Sequence, residues 1–233
     1  MTQLSSKNLL LLTLLFFSLF LFVGYIASAG ALDWFNLAAT QTMQQWSLPT
    51  GQAGNGAIIL FMQLVSILEF LAPIIVLVLP IIFYLRKMAA EILFLLLTIS
   101  LSVTPKILKE IYQLGCPAEP LVHKWQVFHL PYYGPLQLLK TSFCYPSGHV
   151  FNYVLFGGFL LFLTLKFVKN SRWKRIVGAL LSLIIVLVGP SRIYLGAHWL
   201  TDVVGAYLLG FSFLIIIVFA YEKLAKSLKY GGL

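Results

Sequence analysis

CYPSGHVFNYVLFGGFLLFLTLKFVKNSRWKRIVGALLSLIIVLVGPSRIYLGAHWLTD, residues 144–202, decides the reading of this chain, because two clusters of reactive side chains stand at opposite ends of a membrane-spanning hairpin. The first cluster, Pro146-Ser147-Gly148-His149, opens a long apolar run. The second runs from Ser191-Arg192 through Tyr194 and Gly196 to His198 and Asp202, and it follows another apolar run. His198 and Asp202 are four apart, a spacing that places both side chains on one helical face. A carboxylate beside an imidazole fixes its tautomer and stabilises its charged form, so the pair reads as an oriented nucleophile or base. His149 is a second, separate acid.

Outward from this hairpin the composition sets the class. With 60% hydrophobic and 10% charged residues and a mean hydropathy of +0.94, an ordinary soluble domain is excluded. The chain reads as an all-α, polytopic membrane protein with one integral membrane domain over residues 1–233. A net charge of +9 would suggest nucleic acid in a soluble protein. Here most Lys and Arg lie in short links between apolar runs, so they report topology and no nucleic-acid partner.

Six spans are expected, at about 9–29, 57–84, 90–104, 149–167, 176–188 and 199–221, each measured against a bilayer that needs about 20 apolar residues. Ala27-Ser28-Ala29 resembles a signal-peptide cleavage site. The apolar run before it exceeds the roughly 7 to 15 residues of a signal core, which favours a retained first span. Between Asp33 and Pro49 there is no Lys or Arg, and Trp34, Phe35, Leu37, Met43 and Trp46 alternate with polar residues. This segment reads as a short helix lying in the membrane interface. Glu69 is the one acid expected buried mid-span, either functional or packed against Gln63 or Ser66.

The helix of the third span continues beyond the membrane with Lys106 and Lys109, and Gly115, Pro117 and Pro120 end it. Cys116 to Tyr145 is a long link holding His123, Trp125, His129, Tyr132 and Tyr133, and loops of that length are usually functional. His123 and His129 read as loop histidines and not metal ligands. One side of the membrane collects Lys7, Arg86, Lys87, the five cations Lys166, Lys169, Arg172, Lys174 and Arg175, and Lys223, Lys226 and Lys229. The other has Lys106, Lys109, Lys124, Lys140 and Arg192. The positive-inside rule then makes both termini cytoplasmic and turns both reactive clusters outward, toward the periplasm or its equivalent. Cys116 and Cys144, the only two cysteines, lie at the ends of the outward loop, where disulfides persist, which favours a Cys116–Cys144 bridge over two free thiols.

Two His clusters, a Lys on the preceding helix end and an Arg beside the second cluster make a cationic pocket suited to a phosphate. In these motifs the chain resembles the type 2 phosphatidic acid phosphatase, or lipid phosphate phosphatase, family. The family's second motif is matched by Pro146-Ser147-Gly148-His149, and its third by Ser191-Arg192, five residues, His198, three residues, Asp202. The first, Lys, six residues, Arg-Pro, is matched by Lys109 and Pro117 but has Cys116 in place of the Arg. The six-span layout fits as well, so the resemblance covers nearly the whole chain.

The resemblance implies that His198 attacks phosphorus to form a phosphohistidine, that Asp202 holds its ring, and that His149 protonates the departing lipid oxygen and then activates water. It gives the phosphoryl oxygens to Lys109, Ser147, the Gly148 amide and Arg192, whose charge complements the transition state. No cofactor or metal is implied, since there is no carboxylate cluster to hold Mg²⁺. The expected partners are a lipid phosphate substrate and the bilayer. Candidate substrates are undecaprenyl diphosphate, phosphatidylglycerophosphate, phosphatidic acid and lipid A phosphates, at the outer face of the cytoplasmic membrane. A phosphotransferase using the same intermediate is the nearest alternative. A non-catalytic membrane protein is a second, supported only by the missing Arg. The bland reading makes Ser147 a helix cap, His198 and Asp202 a surface pair, and Lys106 and Lys109 snorkelling helix ends.

Overall fold

The computed structural model describes residues 6–45, 56–67, 72–118, 121–125 and 143–230. Among them no strand occurs, and the elements in chain order are helices α1 (Ser6–Ser28), α2 (Asp33–Gln45), α3 (Gly56–Ile67), α4 (Ala72–Leu85), α5 (Ala89–Ser100), α6 (Thr104–Tyr112), α7 (Gly148–Asn152), α8 (Gly158–Phe167), α9 (Ser171–Tyr194) and α10 (Leu200–Tyr230). A 3-10 turn at Leu101–Val103 joins α5 to α6, and a π turn at Tyr153–Gly157 joins α7 to α8. Five rods long and apolar enough to cross a bilayer result: Ser6–Ser28, Ala89–Tyr112, Gly148–Phe167, Ser171–Tyr194 and Leu200–Ala225. The expected second span falls on α3 and α4, and residues 68–71 between them, Glu69 included, lie outside the described residues.

Helix α10 runs through the middle of the bundle. Its Val203, Ala206, Leu209 and Ile217 are buried with Phe20, Leu95, Phe151, Val154 and Phe159 from neighbouring helices. Leu10, Phe22, Leu77, Leu183 and Val186 point outward. A lipid-immersed helix turns apolar side chains both ways and satisfies its backbone internally, so such outward Leu and Val are the solvent match expected of a bilayer. Small residues set the close crossings: a Cβ on Gly205 would meet the Tyr145 ring at 2.6 Å, so glycine lets α10 approach the segment before α7.

Helix α9 departs from the expected boundary. The sequence places the end of the fifth span at Val188, ahead of Pro190, yet the helix continues to Tyr194. Pro190 has no N–H for the carbonyl four residues back and crowds that turn, which normally breaks a helix. The Tyr207 hydroxyl of α10 repairs the gap: it lies 2.7 Å from the Ile185 carbonyl and 3.0 Å from that of Val186, and it accepts from the Gly189 N–H at 3.1 Å. The extra turn carries Ser191 and Arg192 to the end of the bundle. Tyr207→Phe, which strands those carbonyls in the apolar interior, is expected to cost about 1–3 kcal/mol of stability, measured as a lower midpoint of thermal unfolding in detergent.

At the opposite end, Tyr221 donates to buried Glu91 at 2.5 Å, and Lys166 pairs with Glu222 at 2.6 Å. These polar groups lie about 28 Å along α10 from Asp202 at 1.5 Å per residue.

Candidate active site

The site is built where the rod ends converge. Ser147 occupies the N-cap position of α7, but its hydroxyl makes no capping bond. Its Oγ is fully buried and has no partner. The cap reading is therefore corrected: a hydroxyl that satisfies no helix N–H, buried where leaving it unpaired costs stability, is available to an incoming acceptor. The Ser147 N–H donates to the Asp202 carbonyl at 3.0 Å, which ties the first cluster directly to the second. His149 follows one residue into α7 and is half-buried.

His198 is not on a helix. It lies in the loop between α9 and α10, and α10 begins only at Leu200. The four-residue spacing works by a different device from the one expected. Trp199 stands at the N-cap, and Asp202, three residues on, reaches back to accept the Trp199 N–H at 2.8 Å, the backward half of a capping box. The same Oδ2 lies 3.3 Å from His198 Nδ1. Both side chains are buried, so this is no surface ion pair. The loop folds back on Arg192, whose carbonyl accepts from the Ala197 and His198 N–H groups at 3.0 and 3.2 Å. Gly196 makes the reversal with φ of 67°, and a Cβ there would collide with the His123 carbonyl.

Cations flank the ring. Arg192 closes α9, and Lys109 in the last turn of α6 feels the charges of Asp202, Arg192 and Lys106. Burial first, then Arg192 and Lys109, hold the His198 imidazole well below the ordinary histidine range, while a hydrogen bond to the Cys144 backbone acts the other way. In the tautomer that directs an Nδ1 proton at Asp202, the lone pair of the neutral ring lies on Nε2.

Position 116, where the resemblance calls for Arg, is half of a disulfide: Cys116 and Cys144 are bonded across 28 residues of sequence. The segments they belong to are further joined by the isolated Gly115–Phe143 bridge and by Cys144 N–H to the Leu114 carbonyl at 2.8 Å. Trp199 Nε1 donates to the Gly115 carbonyl at 3.1 Å. Tyr145, next in the chain, stacks on Phe20 and donates to its carbonyl at 2.9 Å, and burial pushes its hydroxyl pKa up. Sulfur of Cys144, nitrogen of His198 and oxygen of Asp202 lie within 4.8 Å of one another. They do not fit a metal, since a disulfide sulfur is no thiolate and two remaining donors are too few.

Of the expected site residues, Ser147, Arg192, His198, Asp202 and Lys109 are gathered at this end, with Gly148 and His149 on the adjoining first turn. Lys124 is exposed, His123 stacks on Trp125, and His129 and Lys140 lie outside the described residues. Sequence reasoning missed Asn36, Gln44 and Thr201. Asn36 Nδ2 donates to Thr201 Oγ1 and Thr201 N–H donates to Asn36 Oδ1, each at 3.0 Å. The signal was present as the polar row Asn36, Thr40, Gln44 at helical spacing, all three buried, while Trp34 and Phe35 face outward.

The PAP2 superfamily model matches residues 90–226. Phosphatidylglycerophosphatase B of Bacillus subtilis (strain 168) is 31% identical over 160 residues, 68% of this chain and 71% of that protein. Undecaprenyl-diphosphatase of Sulfolobus acidocaldarius is 39% identical over 79 residues, 33% of this chain and 34% of that one. The crystal structure of a transmembrane PAP2-type phosphatidylglycerolphosphate phosphatase from Bacillus subtilis superposes with a TM-score of 0.72 at 26% identity, covering 91% of this chain and 96% of that one.

Proposed function

The chain belongs to the PAP2 superfamily and is a multi-pass membrane lipid phosphatase, and we propose that it hydrolyses a lipid phosphate or diphosphate at the outer face of the cytoplasmic membrane through a phosphohistidine on His198. The observation that carries this reading is the buried His198 with Nδ1 at 3.3 Å from Asp202, beside an unpartnered Ser147 hydroxyl and the Arg192 cation.

Nε2 attacks phosphorus, and the bond from phosphorus to the lipid oxygen breaks. His149 gives that oxygen its proton. His149 then takes a proton from water, the hydroxide attacks phosphorus, and the bond to Nε2 breaks, releasing inorganic phosphate and restoring the neutral ring. Asp202 stabilises the positive charge the ring acquires. Lys109, Ser147, the Gly148 amide and Arg192 hold the three phosphoryl oxygens as their charge grows.

Phosphatidylglycerophosphate is the favoured substrate, on the relative that is 31% identical across 68% of this chain, with undecaprenyl diphosphate next. The outward orientation is supported by the Lys and Arg asymmetry and by a disulfide beside the site. The non-catalytic alternative loses its one support, since position 116 has been given to that bridge.

The test is phosphate release from a panel of the four candidate lipids by detergent-purified protein. Turnover fastest on phosphatidylglycerophosphate, surviving EDTA and blocked by vanadate, is the expected result. No release from any lipid, or abolition by EDTA, overturns it. Alkaline phosphatase fused between Cys116 and Cys144 should be active and a fusion after Arg172 inactive; the reverse places the site on the inner leaflet.

A further inference from the structure

The loop that carries His198 has no regular structure from Leu195 to Trp199, and it is gripped at both ends by one helix. At its entrance, Gln44 Nε2 donates to the Tyr194 carbonyl at 3.0 Å and to the His123 carbonyl at 2.8 Å, while Gln44 Oε1 accepts from the His123 N–H at 3.1 Å. At its exit, Asn36 makes the reciprocal pair with the backbone N–H and hydroxyl of Thr201, one residue before Asp202. Asn36 and Gln44 are eight residues apart on α2, hence about 12 Å apart along its axis on the same face. Both are buried, at 4% and 2% exposure, and their bonds to Tyr194 and Thr201 are buried as well, so water does not compete for those bonds.

We infer that α2 is a splint for the nucleophile: Asn36 and Gln44 are positioning residues that fix the span between Tyr194 and Thr201, and with it the aim of His198 at phosphorus. This rests on the reading of His198 as nucleophile. A short loop fixed at one end only swings its side chains through several ångströms, and a displacement of about 1 Å of a reacting group can cost on the order of 10²-fold in rate. Asn36 serves Asp202 as well as His198. By holding the Thr201 N–H it sets the first turn of α10, from which Asp202 reaches back to both Trp199 and His198. Thr40 lies between the two on the same buried row, but its hydroxyl bonds only the Asn36 carbonyl of its own helix at 2.9 Å and has no part in the grip.

The experiment measures kcat and KM in the full-length, detergent-purified protein for Asn36→Ala, Gln44→Ala, Asn36→Asp, Thr40→Val and Tyr221→Phe, with thermal midpoints for each and His198→Ala alongside. Expected are a fall in kcat of about 10- to 100-fold for Asn36→Ala and Gln44→Ala, with KM within about twofold. Asn36→Asp keeps an acceptor for the Thr201 N–H and hydroxyl, so it recovers part of kcat. Thr40→Val and Tyr221→Phe, the latter destabilised at the far end of the bundle, keep wild-type kcat. Should Asn36→Ala not fold, Gln44→Ala decides by the same criteria. The inference is overturned if the folded variants keep full kcat while His198→Ala is inert, or if kcat tracks thermal midpoint across all variants including Tyr221→Phe. An active His198→Ala overturns the nucleophile reading instead.

Discussion

His198→Ala is expected to reduce phosphate release by at least about 10³-fold, the scale on which removal of a nucleophile registers, in protein that folds and inserts normally. The effect is large because no neighbour can take the role. Among the described residues at this end of the bundle, only the His198 ring combines burial with an adjacent carboxylate at 3.3 Å and flanking cations, so that burial first and then those cations lower its pKa. His149 stands on the first turn of α7, where the proposed mechanism gives it the leaving oxygen. Asp202→Asn should cost less than His198→Ala, since an orienting group is one part of the machinery. Because burial and the Arg192 and Lys109 charges lower the His198 pKa, the acid limb belonging to the nucleophile should lie well below pH 6.5, the ordinary value for histidine. A kcat that falls with a pKa near 6.5 and loses that limb in His149→Gln assigns it to the general acid or base. Full activity in His198→Ala would remove the phosphohistidine step altogether.

Breaking the Cys116–Cys144 bridge should be the next most damaging change. By the loop-entropy relation a closure of 28 residues is worth roughly 3 to 4 kcal/mol, a large share of the stability of a single domain. The damage extends to the chemistry, because the Cys144 backbone bonds the His198 ring and the paired segment at Gly115 holds the Trp199 indole. Cys144→Ser and Cys116→Arg are both expected to lower the thermal midpoint and to reduce kcat by about 10-fold or more, on the scale of a sub-ångström shift in the reacting ring. Cys116→Arg restores the residue of the family motif, yet it leaves the Cys144 thiol free and places a guanidinium where a bridge stood. Intact-mass measurement after thiol alkylation, with and without reductant, reads the bridge directly. Two alkylated cysteines before reduction, or a rise in activity in Cys116→Arg, would show that position 116 merely lacks a cation.

The helical membrane class was legible because a bilayer demands about 20 apolar residues per crossing, and apolar runs approaching that length recur along the chain. The site residues were legible for a similar reason. Pro146-Ser147-Gly148-His149 and the run from Ser191 to Asp202 are each continuous in the chain, so residue type and spacing survive without knowledge of the fold. Local reading erred where the partner is distant. Pro190 ends a helix unless some donor replaces its missing N–H, and that donor, Tyr207, sits 17 residues on in another rod. The i, i+4 rule brought His198 and Asp202 together for the wrong cause, since the pair is made by a capping turn ahead of α10.

The sequence by itself determined the all-α membrane class and the two motifs that carry His149, His198, Asp202, Ser147 and Arg192, because hydropathy and motif spacing are properties of contiguous residues. The tertiary structure alone decided which way α2 faces and what it does. From sequence the segment reads as a short interfacial helix with no facing assigned, and the structure turns its Asn36, Thr40 and Gln44 row into the protein. The cause is a tally of hydrogen bonds. The Tyr194 carbonyl and the Thr201 N–H at the ends of the His198 loop would be left unsatisfied in a water-poor interior, and side-chain amides 150 and 165 residues away supply what they need.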